Sequence, residues 1–115
     1  MDNFASQQEF QSNLKETVLL TLISERKVGI SAYELRRKFS EVTGARLSFG
    51  TLYPLLDGLL SRNLVSPRSE ENRRRYWSIT NEGSELLKRQ VAFLQNFFSP
   101  REQVREVAAI AEVSN

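Results

Sequence analysis

Residues 47–65 read LSFGTLYPLLDGLLSRNLV, the pattern of an amphipathic helix with a proline inside it. Leucines recur at the i, i+3, i+4, i+7 and i+8 spacing that buries one helix face. They are Leu52, Leu55, Leu56, Leu59 and Leu60. Pro54 has no backbone N–H, so a helix tolerates it best near its start. The stretch therefore predicts a helix with one buried face and a specially shaped N-terminal end.

Either of two hydroxyl residues can begin this helix. If Thr51 is the cap, Pro54 falls in the first turn, where its missing donor costs nothing. If Ser48 is the cap, the first turn must be tight or bent. In both cases the free N–H groups of the helix end attract phosphate, Gly50 permits a close approach, and a hydroxyl such as that of Tyr53 suits the same contact. The pattern favours an end placed against nucleic acid, with plain capping and a fixed entry angle as the alternative.

The composition of the whole chain limits its classes of function. Its 115 residues suit one domain with a small core. Because it has no cysteine and no histidine, disulfides, thiolate metal ligands and the usual acid–base side chain are missing. We see no carboxylate pair in an apolar setting and no nucleophile motif, so we expect no metal site, no cofactor and no enzymatic activity. With neither a signal-peptide pattern nor a membrane-spanning run, we expect a cytoplasmic protein without a membrane partner.

Hydrophobic periodicity predicts the elements that precede the central helix. Residues 7–26 have the apolar spacing of a helix, and residues 28–30 read as a short extended link, which we take as a short strand. A second helix follows, with Ser31 as its cap and Glu34 as the partner in a capping box. It ends before Gly44.

The second half of the chain predicts a hairpin and two more helices. Residues 64–80 read as two short strands around a polar turn. Thr80 caps a long helix, and the sequence SPRE at residues 99–102 starts a last helix that runs to about Val113. This order predicts a mainly α fold with a small β-hairpin, a winged helix-turn-helix with extra N- and C-terminal helices. A plain helical bundle or an unrelated α+β domain is the alternative.

Two separated motifs resemble the PadR family of bacterial winged-helix transcriptional regulators. GTLYPLL matches that family's Gly-Thr-Leu-Tyr-Pro-Leu-Leu run, and RRRYWSIT followed by NEG is similar to its Arg-Tyr-Tyr-x-Leu-Thr-x-x-Gly strand. SAYEL resembles the family's Gly-Tyr-Glu-Leu/Ile helix. The resemblance covers about residues 14–90. Three departures are a short tail, Asn63 in place of glycine, and Trp77 and Ile79 in place of Tyr and Leu.

The resemblance implies a homodimeric repressor that binds double-stranded DNA at a palindromic operator. The proline-bearing helix would enter the major groove and the hairpin would be the wing. We expect one domain over residues 1–115, with a winged core at about 14–80 and dimerisation helices at about 5–26 and 81–113. The alternative function is a winged-helix module that binds an acidic protein partner rather than specific DNA.

Basic and hydroxyl side chains around the central helix and the hairpin are the predicted DNA contacts. Residues 62–76 hold five arginines and two glutamates, and arginine suits phosphates and narrow minor grooves, although a solvated turn is the alternative. The central helix has no Lys or Arg before Arg62, which predicts modest base readout. Tyr33 is expected to pack or cap. The predicted contacts are Ser48, Thr51, Tyr53, Arg36, Arg37, Lys38, Arg46, Arg68, Arg73, Arg74 and Arg75.

The first helix and the long helix carry more apolar surface than a small winged domain needs, which is typical of an interface. The predicted dimer contacts are Phe10, Leu14, Leu87, Val91, Leu94, Phe97 and Phe98. Alternatively, the last helix folds back over this surface within one chain. Phe93 and Phe97 could line a pocket for a small-molecule ligand, but aromatic residues at helical spacing are more often core, so we do not expect one.

Overall fold

The computed structural model describes residues 3–69 and 75–98, and side chains from residue 12 to residue 68 and from 75 to 98. Its elements are α1 (Asn3–Ser24), β1 (Ile30–Ser31), α2 (Ala32–Thr43), α3 (Phe49–Ser61), β2 (Val65–Ser69), β3 (Arg75–Ile79) and α4 (Asn81–Phe98). This order confirms the predicted mainly helical fold with a small β-hairpin. The hairpin tip and the predicted last helix, from Ser99 to about Val113, lie outside the described residues. Among the helices described, none is both long and apolar enough to cross a bilayer.

The hairpin is part of a small antiparallel sheet with strand order β1-β3-β2. The short strand predicted at residues 28–30 lies at Ile30–Ser31 and joins the hairpin as a third strand, in which Ile30 pairs with Trp77. On the other side of β3, Pro67 pairs with Trp77. A proline is tolerated there because β2 is an edge strand of this sheet. Trp77 is 1% exposed, so the centre of the sheet faces the core.

The core lies where α1, α2 and α3 meet the sheet. Its largest fully buried side chains are Trp77, Leu19, Leu20, Ile23, Ile30, Leu35, Leu52, Leu56, Leu59 and Val65. On α3, however, Leu60 is 36% exposed and Leu55 is only partly buried, so the predicted stripe of five leucines is too wide. At 100° per residue Leu60 lies about 80° around the helix from Leu52, at the margin of the buried face.

Hydroxyl caps define the helix starts as predicted. The Glu34 N–H donates to Ser31 Oγ at 3.1 Å, which confirms Ser31 as the cap. The Glu34 carboxylate pairs with Arg26 and not with the Ser31 N–H, so the second half of the predicted capping box is not formed. Gly44 ends α2 in the left-handed region, with a φ of 72°.

For α3 the structure selects the earlier of the two possible caps. The Thr51 N–H donates to Ser48 Oγ at 3.2 Å. The N–H groups of Thr51 and Leu52 both donate to the Ser48 carbonyl, at 3.1 and 2.9 Å, so the first turn is tight as this alternative requires. Pro54 consequently lies inside α3 rather than in its first turn.

One corner joins the end of α3, the base of the hairpin and the start of α4. Asn63 has a φ of 59°, the left-handed conformation that asparagine tolerates well. The Thr80 N–H donates to the Leu64 carbonyl at 3.1 Å, and the Thr80 hydroxyl donates to the Asn63 carbonyl at 2.6 Å. The same hydroxyl accepts the Gly83 N–H at 3.0 Å, which confirms Thr80 as the cap of α4.

We expect Gly83→Ala to destabilise the protein by about 1–3 kcal/mol, because the added methyl group overpacks this corner. A Cβ at Gly83 would stand 2.0 Å from the Leu64 carbonyl oxygen and 2.9 Å from Ile79 Cγ1. Urea denaturation measures the effect. Gly58→Ala is the matched control, since a Cβ there meets nothing within 4 Å. Equal stabilities of the two variants would contradict the close approach.

Candidate nucleic-acid interface

The N-terminal end of α3 presents two exposed hydroxyl groups that contact each other. The Ser48 hydroxyl donates to the Thr51 hydroxyl at 3.1 Å, in addition to accepting the Thr51 N–H. Both residues are exposed. Capping is therefore a real part of their role, and their position on the surface leaves the oxygens accessible to an external partner.

The exposed side of α3, called here its outer face, lies outside the stripe of buried leucines and carries Thr51, Tyr53 and Asp57. Tyr53 is 47% exposed, and its ring stacks on that of Phe49 with centroids 5.8 Å apart. Nothing basic lies on this helix between Phe49 and Ser61. The face can therefore offer hydroxyl and aromatic groups, but no bidentate contact of Arg or Lys to guanine.

Arg36 connects α2 to this end of α3. Its Nε donates to the Leu47 carbonyl oxygen at 2.7 Å. Its guanidinium carbon lies 4.6 Å from the centroid of the Phe49 ring, within the range of a cation–π contact. The side chain predicted to hold a DNA phosphate thus has two partners within the chain.

A groove beside Arg36 runs along the outer face of α2 and the turn that follows it. It is lined by Tyr33, Arg36, Arg37, Ser40, Glu41, Arg46 and Leu47. Arg37 pairs with Glu41 at 3.1 Å and lies 3.8 Å from Glu34, whereas Arg46 is exposed. The groove therefore brings three of the predicted arginines together. Lys38, half-buried, is not among its lining residues.

Tyr33 also lines this groove, and the expectation that it packs or caps is wrong. The side chain is 67% exposed. At 100° per residue it lies about 160° around α2 from buried Leu35, so it points away from the core.

The hairpin holds the remaining predicted arginines. Arg68 on β2 is exposed and is paired across the strands with Tyr76. Arg75 begins β3, is exposed, and has its guanidinium carbon 5.7 Å from the Trp77 ring centroid. Arg73 and Arg74 lie outside the described residues. Arg62 belongs to the same run of charge, but it binds Glu16 of α1 at 2.9 Å.

Phe49 is the residue that the sequence reasoning missed. It is half-buried against the core and touches both Arg36 and Tyr53. Aromatic side chains four residues apart on a helix lie on the same face, so the spacing of Phe49 and Tyr53 was the available signal.

A second surface lies along α1 and α4. The Thr17 hydroxyl joins the two helices through a 2.8 Å hydrogen bond to Gln90 Oε1. Of the predicted dimer contacts, Leu14, Leu87, Val91 and Leu94 are half-buried, while Phe97 and Phe98 are 52% and 71% exposed. The side chain of Phe10 and the tail that could fold back, with Val104, Val107, Ala108 and Ala111, lie outside the described residues.

Phe93 lies on the same surface and is 66% exposed. It lines a small cavity of about 170 Å³ between α1 and α4, together with Asn13, Leu14, Thr17, Gln90 and Leu94.

The solved structures similar to this chain include those of the following two proteins. A PadR-like transcription factor from Bacteroides fragilis has 24% identity and a TM-score of 0.73, over 92% of this chain and 99% of that chain. F93 from STIV, called a winged-helix DNA-binding protein, has 16% identity and a TM-score of 0.67, over 75% and 92% of the two chains. At these identities the likeness establishes the winged-helix fold.

A curated relative is the uncharacterized 37.1 kDa protein in transposon Tn4556 of Streptomyces fradiae. It is 36% identical over 61 residues, which are 53% of this chain. The matching segment spans only 18% of that protein's length.

The profile of the transcriptional regulator PadR-like family matches residues 19–89. This range runs from the buried half of α1 through α2, α3 and the hairpin into α4, so it includes both candidate surfaces in part. The chain belongs to the PadR-like family of transcriptional regulators.

Proposed function

We propose that this protein is a DNA-binding repressor that acts as a homodimer on a palindromic operator. In this proposal α3 enters the major groove, the β2–β3 hairpin is the wing, and α1 and α4 are the dimerisation helices of a single domain. Membership of a family of transcriptional regulators supports a regulatory role. The similarity to a winged-helix DNA-binding protein supports the docking of this fold on a duplex.

The main support for this proposal is Gly50. It lies in the first turn of α3, is exposed, and lacks a positive φ. A Cβ at this position would meet only Ser48 Oγ, at 3.8 Å, which is ordinary contact. Glycine weakens a helix, and neither the backbone nor the packing of the chain requires it here. Gly58 on the same helix is equally unneeded, but only Gly50 lies at the helix N-terminus, where free N–H groups attract phosphate. We therefore propose that Gly50 permits close approach of a partner to the helix end.

We expect Gly50→Ala to leave the protein as stable as the wild type or slightly more stable, and to weaken its DNA binding about tenfold or more. The added methyl group would separate the helix end from the phosphate oxygens. Urea denaturation and fluorescence anisotropy with a duplex chosen from random sequences measure the two effects. Gly58→Ala controls for the gain in helix propensity, since it also has free space around its Cβ. If the Gly50→Ala variant binds DNA with the affinity of the wild type, the proposal loses its main support.

Contacts to the DNA backbone would come from both sides of α3. Arg37, Lys38 and Arg46 are proposed to hold phosphates on one side, and Ser48, Thr51 and Tyr53 to position the helix end itself. Because the outer face of α3 offers no basic side chain and exposes Asp57, we propose that specificity arises mainly from DNA shape.

The wing would supply much of the electrostatic attraction. Arg68 and Arg75 are exposed, and Arg73 and Arg74 precede Arg75 in the sequence. Each phosphate contact releases counterions, so the logarithm of the binding constant falls with the logarithm of the salt concentration in proportion to the number of contacts.

We expect the combined change Arg73→Ala, Arg74→Ala and Arg75→Ala to weaken binding to all DNA sequences and to flatten this salt dependence. The slope should fall by about one unit for each lost phosphate contact. The control is a second triple variant, Lys15→Ala, Lys88→Ala and Arg89→Ala. It removes the same charge from exposed positions outside the proposed DNA interface. An unchanged slope in a folded wing variant would defeat the assignment of the wing.

Exposed aromatic side chains on α4 support the dimer. Phe93 and Phe97 stack with their ring centroids 6.3 Å apart, and Phe98 packs edge-on against Phe97 at 5.1 Å. Covering such an apolar cluster with the same cluster of a second chain removes it from water. A two-fold dimer would place its two α3 helices about 34–36 Å apart, one turn of DNA.

We expect Phe97→Asp to convert the dimer to a monomer and to lower operator affinity, because a carboxylate without a partner is costly in an apolar interface. Ala92→Asp is the matched control. It adds the same charge at an exposed position about 140° around α4 from Phe97 and has no predicted dimer contact three or four residues away. Sedimentation at micromolar concentration distinguishes the two variants. A monomeric wild-type protein under these conditions would contradict the dimer.

The interaction module remains the second candidate function, favoured by the absence of basic residues on the outer face of α3. In that case the exposed arginines would serve an acidic protein surface. Salt-sensitive retention of the protein on immobilised duplex DNA supports the regulator, and its absence favours the module.

A further inference from the structure

We infer that Arg36 is a positioning residue, which fixes Phe49 and through it Tyr53, rather than a group that neutralises a DNA phosphate. This inference rests on the proposed function, because the purpose of the arrangement is to hold Tyr53 ready for DNA. It changes the role of a side chain that the sequence places among the phosphate contacts.

The first link is the anchoring of the guanidinium group. Arg36 is half-buried, and the 2.7 Å hydrogen bond from its Nε to the Leu47 carbonyl ties it to the turn between α2 and α3. Leu47 is 3% exposed, so its carbonyl lies at the edge of the core, where an internal donor is valuable. The bond helps to hold the guanidinium group over the Phe49 ring, with its central carbon 4.6 Å from the ring centroid.

The second link is the stack of Phe49 on Tyr53. The two residues are one helical turn apart, and their ring planes are inclined by 27° with centroids separated by 5.8 Å. Tyr53 is otherwise an exposed side chain that would sample several rotamers. Restricting it before binding removes an entropic penalty that is equivalent to roughly a three- to tenfold gain in affinity.

The neighbouring Arg37 shows the contrast. It has the same charge, but its side chain is 55% exposed and its contacts are the ion pairs with Glu41 and Glu34. Exposed ion pairs are weak and exchange readily for other anions. Arg37 can therefore turn to a phosphate, whereas Arg36 would have to give up both the Leu47 carbonyl and the Phe49 ring.

Binding across a salt series separates the two roles. We expect Arg36→Met and Arg36→Lys to weaken binding of the selected duplex alike, by roughly three- to tenfold, with the slope of the wild type. Lysine keeps the charge but cannot place a guanidinium group over the ring while an Nε donor binds the Leu47 carbonyl. Arg37→Met, in contrast, should lower the slope by about one unit. Normal affinity of Arg36→Lys, or a lower slope of Arg36→Met, would overturn the inference.

Coupling between the residues gives a second test. If Arg36 acts through Tyr53, Tyr53→Phe should weaken binding less in the Arg36→Met or Phe49→Leu background than in the wild type, and strictly additive effects would contradict the link. Without DNA, Arg36→Met and Phe49→Leu should each shift the NMR resonances of the Tyr53 ring, and unchanged resonances would overturn the arrangement. If Arg36→Met does not fold, Arg36→Lys and Phe49→Leu replace it in both measurements. A wild type that binds no DNA refutes the proposed function, while the resonances still report on the arrangement itself.

Discussion

The close approach of Gly83 to the Leu64 carbonyl is the constraint on which the placement of both surfaces depends. At this corner α3 ends, the hairpin begins and returns, and α4 starts. Thr80 binds the carbonyls of Asn63 and Leu64 and caps α4, so one residue holds the helix-turn-helix, the wing and the long helix together. Only a residue without a side chain fits at position 83, because any Cβ would collide with backbone that cannot move without loosening the corner. The angle between the proposed DNA-binding helix and the proposed dimerisation helix follows from this contact.

Local rules of the chain predicted much of the fold. Ser31, Gly44 and Thr80 mark helix boundaries through contacts within a few residues, and the structure has them in these roles. The short strand after the first helix was predicted, but its place beside the hairpin was not, because Ile30 pairs with Trp77, a partner that no local pattern reveals. The cap of α3 stayed open because Ser48 and Thr51 are both good caps, and the turn before the helix decides between them.

For the candidate site, sequence identified the residue types but not their partners. Tyr53 is exposed on α3, where the proposed contact needs it. The sequence does not distinguish the arginines from one another, but the structure does. Arg62 pairs with Glu16 on α1, which is far away in sequence, and Arg36 contacts the Leu47 carbonyl and the Phe49 ring. The number of arginines in a stretch of sequence is therefore a poor measure of the charge available to a ligand, because tertiary contacts decide which guanidinium groups can bind it.

This distribution of charge explains how a chain with a net charge of only +2 could still bind DNA. Arg46, Arg68 and Arg75 are exposed, and glutamates neutralise part of the positive charge elsewhere. A single copy would therefore bind a half-site weakly. A dimer would make the second half-site contact intramolecular, which raises the overall affinity by orders of magnitude without any additional contact. Rigid placement of α3 relative to α4 is then as important as the contacts themselves, because the gain is lost if the two helices cannot reach successive grooves together.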